Sequence, residues 1–175
     1  MKNVIILGYG SIGKRHANNL DQMGFNVFVW NRSKIKEKTK KINFIYDLKK
    51  ILEKSDIVFI CLPSNLHYKY LKFCLDKNKH IYVEKPFCLN TKEIKKITKH
   101  QYFKKVVIQD GCQLRSDPLI KKIKKIIEKK ELGKILYYKG YVGQHLNMWR
   151  NKKGKESYSA YKSLGGGVHY DLIHD

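Results

Sequence analysis

The sequence predicts an α/β protein with a doubly wound parallel sheet, on three observations. First, we expect six apolar segments rich in β-branched residues to form strands, at residues 3–7, 25–30, 42–46, 56–62, 80–83 and 106–109. Second, these segments are continuously apolar, as burial on both faces of a parallel sheet requires. Third, segments with helical spacing separate them, so strands and helices alternate along the chain.

Apolar residues at helical spacing predict three helices between the strands. The residues with this spacing are Ile12, His16, Leu20 and Met23 in the first, Leu66, Tyr70, Phe73 and Cys74 in the second, and Ile94, Ile97 and His100 in the third. Asp117-Pro118 then opens a further helix with an apolar face and a lysine-rich face. Such a helix either packs on a sheet or lies on a membrane, and packing on a sheet is the commoner case.

The pattern changes after Gly133. The segment KILYYKGYVGQHL, residues 134–146, predicts a long strand with no helix after it. We therefore place a domain boundary near Asp117, which divides residues 1–117 from residues 118–175.

The net charge of +22 comes mostly from lysine, which supplies 33 of the 37 basic residues. Arginine has the fork geometry that suits phosphates and base edges, whereas scattered lysine mainly gives solubility and long-range attraction. The lysines are spread over almost every segment. This distribution favours a solvated surface, with some attraction for anionic substrates, over nucleic-acid binding.

The four cysteines include no CxxC pair and no histidine at zinc-finger spacing. They are typical of reduced, mostly buried thiols in a cytoplasmic protein. The apolar run near the N-terminus, Val4 to Leu7, is too short for a signal peptide or a membrane span. We therefore expect a cytoplasmic protein without a membrane partner.

The hexapeptide GYGSIG, residues 8–13, follows the first predicted strand and opens the first predicted helix. Gly8 would permit the tight turn, Gly10 would let the backbone approach a pyrophosphate, and Gly13 would let the helix pack closely on the strand. The first helical residues, Ser11 and Ile12 among them, would present N–H groups to the anion. The context predicts a dinucleotide site over a purely structural glycine turn.

The end of the second strand decides which dinucleotide is preferred. An NAD site has Asp or Glu there to hold the ribose 2′-hydroxyl. This sequence has Asn31-Arg32-Ser33, whose side chains suit a 2′-phosphate. The segment favours NADP over NAD; alternatively, Arg32 is a surface charge and either cofactor is accepted.

Three motifs, GYGSIGKRH at 8–16, YVEKP at 82–86 and GGGVHYDLIHD at 165–175, resemble the Gfo/Idh/MocA family of oxidoreductases. The resemblance implies a Rossmann NAD(P)-binding domain followed by the beginning of an α+β substrate domain. It also implies hydride transfer between nicotinamide and a hydroxyl or keto carbon of a sugar, nucleotide-sugar or cyclitol. The stretch YVGQHLNMWR resembles a subgroup linked to surface-polysaccharide biosynthesis.

The resemblance implies that Glu84-Lys85-Pro86 lies beside the nicotinamide and that Lys85 is the acid/base. The bond before Pro86 is a candidate cis peptide, because X-Pro bonds adopt cis at low cost. The resemblance also implies that Pro63-Ser64-Asn65 and His67 line the nicotinamide ribose. From the residues alone, that segment is a turn and helix cap, and His67 could be a solvated helix residue.

The resemblance implies that Asp171 and His174 act with Lys85 on the substrate hydroxyl. A separation of three places both on one helical face; an exposed helix start is the alternative. A metal cluster of His169, Asp171, His174 and Asp175 is disfavoured, and we predict no metal. Trp149 and Arg150 would shape the substrate pocket or support the domain interface.

Family members usually continue well beyond the last motif, so the resemblance implies an incomplete substrate domain and, at full length, a homo-oligomer. The main alternative function is a truncated, catalytically impaired NADP-binding protein or a nucleotide sensor. A basic nucleic-acid-binding module is a more distant alternative. Saturable nucleotide binding separates the first two from the third, and turnover separates enzyme from sensor.

Overall fold

The computed structural model describes residues 2–35, 42–143, 145–149 and 158–172. The chain divides into two units, Met1–Gly111 and Cys112–Asp175. Every helix among the described residues is too short or too polar to cross a membrane.

The first unit contains a six-stranded sheet in which each neighbouring pair is parallel. Its strands are β1 (Asn3–Leu7), β2 (Asn26–Trp30), β3 (Asn43–Ile45), β4 (Ile57–Ile60), β5 (His80–Val83) and β6 (Ile108–Asp110). Their order across the sheet is β3-β2-β1-β4-β5-β6, and Leu7 pairs with Trp30 on one side and with Ile60 on the other. The predicted doubly wound parallel sheet is confirmed, and the chain order reverses between β1 and β4, where such sheets bind ligands.

Four α-helices connect the strands: α1 (Ser11–Gln22), α2 (Leu48–Glu53), α3 (His67–Asp76) and α4 (Thr91–Thr98). The spacing of apolar residues predicted α1, α3 and α4, but not the short α2. The carboxylate of Asp47 starts α2 by accepting hydrogen bonds from the N–H groups of Lys49 and Lys50. The amide oxygen of Asn90 caps α4 in the same way, at 3.0 Å from the N–H of Glu93.

The core has a layer on each face of the sheet, as continuous apolar strands require. Ile5 and Leu7 of β1 belong to the layer that includes residues of α2, α3 and α4, whereas Val4 and Ile6 belong to the layer that includes α1. All four side chains are fully buried. Burial of each such side chain stabilises the fold by about 1.5–3 kcal/mol, so the two layers fix the strand ends from which the site is built.

Three of the four thiols, Cys61, Cys74 and Cys88, are buried, which confirms the prediction of mostly buried cysteines. Burial raises the pKa of Cys74 and of Cys88 to about 12, and it raises the pKa of Cys61 as well. Because the thiolate is the nucleophile, these three should react slowly in the folded protein. The more exposed Cys112 should react faster.

We therefore expect an Ellman titration of the native protein at pH 8 to show one fast thiol, followed by three more when the chain is unfolded in guanidinium. The matched variant Cys112→Ser should lose only the fast phase. A native protein in which a second thiol reacts as fast as Cys112 would contradict the burial of these side chains.

The second unit contains helices and turns. Its helices are α5 (Pro118–Glu128), α6 (Leu146–Trp149) and α7 (Val168–Asp171), with 3-10 turns at Gln113–Ser116, Tyr158–Ala160 and Lys162–Leu164. The carboxylate of Asp117 caps α5 by accepting from the N–H groups of Leu119 and Ile120 at 2.8 and 3.1 Å. This confirms the start predicted from Asp117-Pro118.

Two expectations for this unit fail. Residues 134–143 form no strand, α6 begins at Leu146, and Leu136 and Tyr138 are more than four-fifths exposed. A strand needs a hydrogen-bonded neighbour, and the described residues of this unit include no strand. For the same reason α5 does not pack on a sheet within this unit, where its residues Leu119, Ile120, Ile123 and Ile127 are exposed.

Candidate functional site

The loop between β1 and α1 is packed so closely that glycine is needed at two of its positions. Gly8 has a φ of +97° and donates its N–H to the carbonyl of Trp30 at 2.8 Å. A Cβ at Gly8 would lie 2.6 Å from the carbonyl oxygen of Cys61, and one at Gly13 would overlap the carbonyl oxygen of Gly8. The loop is therefore fixed against the ends of β2 and β4.

The N-terminus of α1 is arranged to accept an anion. Gly10 caps the helix without a side chain, and the first helical bond runs from the N–H of Lys14 to its carbonyl at 2.9 Å. A Cβ at Gly10 would meet no atom within 4 Å, and the first turn contains no acidic residue. Helix geometry leaves the first N–H groups without an acceptor inside the helix; they belong to Ser11, Ile12 and Gly13.

The segment after β2 is tied to the glycine loop through Asn31. Its side-chain oxygen accepts the N–H of Tyr9 at 3.1 Å, and its amide nitrogen donates to the backbone oxygen and the hydroxyl of Ser33 at 3.0 and 3.1 Å. Arg32 and Ser33 are exposed. Burial raises the pKa of Tyr70, and the positive charge of Arg32 acts against that rise. Asn31 thus has a structural role, while Arg32 remains an exposed cation.

The loop after β4 contains a buried hydroxyl. Pro63 precedes the 3-10 turn Ser64–Leu66, in which Ser64 is 2% exposed and Asn65 is exposed. The Ser64 hydroxyl has no hydrogen-bond partner among the described residues. A buried hydroxyl without a partner is costly, and it is the kind of group that a bound ligand can satisfy.

His67 begins α3 and is buried. The alternative of a solvated helix residue, which the sequence left open, is therefore wrong. Its Nδ1 lies 2.7 Å from the carbonyl oxygen of Pro86 and its Nε2 lies 2.9 Å from that of Leu62. Burial lowers the pKa of His67, although the two carbonyls and the charge of Glu84 act in the opposite direction. The imidazole therefore lies between the loop after β4 and the segment after β5.

The Glu84-Lys85-Pro86 segment leaves the sheet directly after β5. The N–H of Glu84 still donates to the carbonyl of Ile60 at 2.9 Å, in register with β4. The Lys85–Pro86 peptide is cis, as the sequence suggested. Lys85 is half-buried.

Three aromatic groups beside Glu84 were not predicted as part of the site. The Nε2 of His16, on α1, lies 2.7 Å from Oε1 of Glu84, and the hydroxyl of Tyr82 lies 3.4 Å from the same oxygen. Tyr82 stacks on Phe59 with ring centroids 4.7 Å apart. Burial and the charge of Glu84 raise the pKa of Tyr82. Helical spacing had assigned His16 to the apolar face of α1, and only its position in GYGSIGKRH could have drawn attention to it.

The structure thus joins four of the predicted segments at the carboxyl ends of β1, β2, β4 and β5. The contacts are Gly8 with Trp30, Tyr9 with Asn31, His67 with Pro86, and His16 with Glu84. Because the carboxyl edge of a doubly wound sheet is its ligand-binding edge, these loops form one candidate dinucleotide site.

The site residues predicted in the second unit remain predictions. Trp149 is the last residue of α6 and Asp171 the last of α7. Arg150 and His174 lie outside the described residues. His169 is exposed. Gly166, the central glycine before α7, allows tight packing, since a Cβ there would overlap backbone atoms of the 3-10 turn Tyr158–Ala160.

Comparison with protein families finds one whose model matches residues 2–111, described as an oxidoreductase family with an NAD-binding Rossmann fold. The matched region contains all six strands and the four loops of the candidate site.

Two enzymes of Bacillus subtilis (strain 168) are among the similar curated proteins. A scyllo-inositol 2-dehydrogenase (NAD(+)) is 29% identical over 78% of this chain and 43% of its own length. The scyllo-inositol 2-dehydrogenase (NADP(+)) IolW is 25% identical over 97% of this chain and 50% of its own length. The chain spans about half the length of the curated relatives it matches.

Among solved structures, the crystal structure of an NAD-binding protein from Listeria innocua matches 98% of this chain and 51% of its own, with a TM-score of 0.74 and 22% identity. At this identity the likeness concerns the fold.

Proposed function

The chain belongs to the oxidoreductase family with an NAD-binding Rossmann fold, and on that basis we propose that it binds a nicotinamide dinucleotide for hydride transfer. The other reactant is a hydroxyl or keto carbon of a sugar, nucleotide-sugar or cyclitol. The observation that carries the proposal is the start of α1, where open space at Gly10 adjoins N–H groups that lack helical acceptors.

Each loop of the site has a separate part in holding the nucleotide. The N–H groups of Ser11, Ile12 and Gly13 hold the pyrophosphate, as the absence of acidic residues in the first turn of α1 allows. The segment 31–33 holds the adenosine ribose. The loop 63–65 with His67 lines the nicotinamide ribose, for which the unpartnered Ser64 hydroxyl is a suitable donor. A bound nicotinamide supplies the hydride acceptor or donor.

Lys85 is the proposed acid/base, which takes the proton from the substrate hydroxyl in oxidation and returns it in reduction. Asp171 and His174 act with it on the same hydroxyl. Trp149 and Arg150 shape the substrate pocket, Trp149 against a sugar face and Arg150 for an anionic group. Residues 1–117 form the nucleotide-binding domain, and residues 118–175 form the beginning of the substrate domain. The two Bacillus relatives are dehydrogenases of scyllo-inositol, a cyclitol, which supports this substrate class.

Further parts of the proposal concern the protein's setting. The resemblance of YVGQHLNMWR supports a role in surface-polysaccharide biosynthesis. A cytoplasmic homo-oligomer is the proposed state of the full-length protein.

NADP is the proposed preferred cofactor, because the three residues after β2, Asn31 to Ser33, include no carboxylate and Arg32 is exposed. We expect Asn31→Asp to shift the ratio of NADPH to NADH affinity by about tenfold to a hundredfold toward NADH, a range set by hydrogen bonds to charged groups. The aspartate would accept a hydrogen bond from the ribose 2′-hydroxyl and repel a 2′-phosphate. One of its carboxylate oxygens would still accept the hydrogen bond from the N–H of Tyr9. Fluorescence titration with both nucleotides measures the ratio.

Arg32→Ala tests the same preference from the cationic side and should weaken NADPH binding more than NADH binding. Equal binding of both nucleotides by the wild type, unchanged in either variant, would contradict a preference set at this segment.

The function as a whole is tested by titrating NADPH and NADH against the protein and following nucleotide fluorescence. Saturable binding, followed by nucleotide-dependent conversion of a member of a panel of sugars, nucleotide-sugars and cyclitols, is the expected result. Saturable binding without turnover of any panel member would favour the impaired enzyme or sensor. No saturable binding of either nucleotide would refute the site at the start of α1.

A further inference from the structure

One side-chain contact links the helix that begins at the proposed pyrophosphate site to the segment that contains Lys85. His16 lies on α1, and its Nε2 is 2.7 Å from Oε1 of Glu84, the residue directly after β5. The two side chains are 17% and 13% exposed. A carboxylate so far removed from water needs a close donor, and the Tyr82 hydroxyl at 3.4 Å is a longer one.

The His16 ring is held in place by two aromatic neighbours. Its centroid lies 5.0 Å from that of Tyr82, edge to face, and 5.3 Å from that of Phe59. These two rings stack on each other. The ring contacts fix the direction of the imidazole, so His16 can present Nε2 to Glu84 with little loss of side-chain entropy.

The other Glu84 oxygen lies beside Gly111. A Cβ at Gly111 would lie 3.0 Å from Oε2 of Glu84, so a larger residue at this position would crowd the carboxylate. Burial, with a smaller contribution from the charge of Glu84, raises the pKa of Cys61. Burial and Glu84 raise the pKa of Tyr82, and the charge of Asp110 adds a minor contribution. The contact of His16 with the carboxylate, at 2.7 Å, is shorter than that of the Tyr82 hydroxyl, at 3.4 Å.

These contacts restrain the main chain on both sides of Lys85. On one side, Glu84 is held by its N–H on Ile60 and by its carboxylate on His16. On the other side, the carbonyl oxygen of Pro86 lies 2.7 Å from Nδ1 of His67. Glu84 is therefore restrained from β4 through its N–H and from α1 through His16.

We propose that His16 is a positioning residue: by fixing the Glu84 carboxylate, it sets the placement of Lys85 and ties that placement to α1. The proposal rests on the proposed function for the role of Lys85 as acid/base, but the contact itself does not. Misplacement of a reacting group by a fraction of a side-chain length is enough to slow catalysis severely.

The test compares variants that keep different properties of His16. His16→Phe keeps the ring contacts with Phe59 and Tyr82 but loses the donor, whereas His16→Gln keeps a donor at the end of a side chain of similar reach. His100→Phe is the matched control, because it removes another histidine–carboxylate contact of the first unit, with Asp76 at 2.9 Å. The first readout is the acylation rate of Lys85, resolved by peptide mass spectrometry without nucleotide and normalised to the other lysines.

We expect His16→Phe to change the relative rate at Lys85 by about threefold or more, the scale of coupling between residues in contact. His16→Gln should restore a rate near that of the wild type, and His100→Phe should leave the rate unchanged. The double variant His16→Phe/Glu84→Gln should change the Lys85 rate no more than His16→Phe does, because both substitutions act on Lys85 through the same contact. An unchanged rate at Lys85 in His16→Phe would overturn the proposal.

Thermal melting identifies a His16→Phe protein that has lost its fold. In that event Glu84→Gln alone decides, since it weakens the same contact from the other side: a changed Lys85 rate supports the proposal and an unchanged rate overturns it. If the wild type converts a panel substrate, His16→Phe should lower kcat on the order of tenfold, with little change in the KM for nucleotide.

The failure of either proposal can be recognised separately. Absence of saturable nucleotide binding by the wild type refutes the proposed function without affecting the Lys85 acylation rates. Normal nucleotide binding by the wild type, together with a Lys85 acylation rate that is the same in His16→Phe as in the wild type, refutes the positioning role alone.

Discussion

Gly10→Ala is expected to abolish nucleotide binding while leaving the fold unchanged. A methyl group at this position meets no protein atom within 4 Å, so the variant should melt at the wild-type temperature. The same methyl group would occupy the space in which the backbone approaches the pyrophosphate. We expect NADPH affinity to fall at least about a hundredfold, a loss of about 2.7 kcal/mol of binding free energy, measured by fluorescence titration beside a thermal melt.

Gly13→Ala is the matched variant, because its methyl group would overlap the carbonyl oxygen of Gly8 instead of entering open space. It should lower the free energy of unfolding by about 1–3 kcal/mol, as overpacking does, and impair binding through the displaced loop. The contrast between the two glycines separates a ligand contact from a packing contact. NADPH binding by Gly10→Ala with wild-type affinity would contradict the proposed pyrophosphate site.

Lys85→Ala is expected to remove turnover without removing the cofactor. Loss of a general acid or base lowers kcat by about a hundredfold to ten-thousandfold. The nucleotide loops do not depend on the amine, since they are fixed by Gly8, Asn31 and His67 through the contacts described above. The measurement is kcat on a converted panel substrate, together with the dissociation constant for NADPH, which should stay within about threefold of wild type.

The control for this variant is Lys77→Ala, a change to an exposed lysine at the end of α3 that belongs to no proposed step. It should retain both turnover and binding. If Lys85→Ala kept the wild-type kcat, the acid/base would have to be another group, and the role carried over from Glu84-Lys85-Pro86 would be wrong.

The sheet and the nucleotide loop could be predicted because their signals are local. The strands β1 and β5 have the predicted bounds, since a continuous apolar run sets the length of a strand buried on both faces. The glycine spacing of residues 8–13 likewise reflects steric needs within one turn. The helix α2 was missed because it is short and lysine-rich, and it is started by the Asp47 cap more than by an apolar face.

Features that depend on distant partners could not be predicted. The environment of His67 is set by the carbonyl of Pro86, and His16 contacts Glu84, which lies 68 residues further along the chain. The expectation of a strand at 134–146 was wrong for a related reason. Its apolar residues are suited to a sheet, but a strand forms only where a partner strand is present.

The position of His67 has a further consequence for the two loops that it joins. Burial favours the neutral imidazole, which has a single N–H, yet both ring nitrogens face carbonyl oxygens. The hydrogen bonds to Leu62 and to Pro86 are therefore mutually exclusive in the neutral protein. The tautomer decides which of the two loops accepts the hydrogen bond of His67. A ligand that donates to one of the carbonyls would favour the tautomer that donates to the other, and would thereby restrain that other loop.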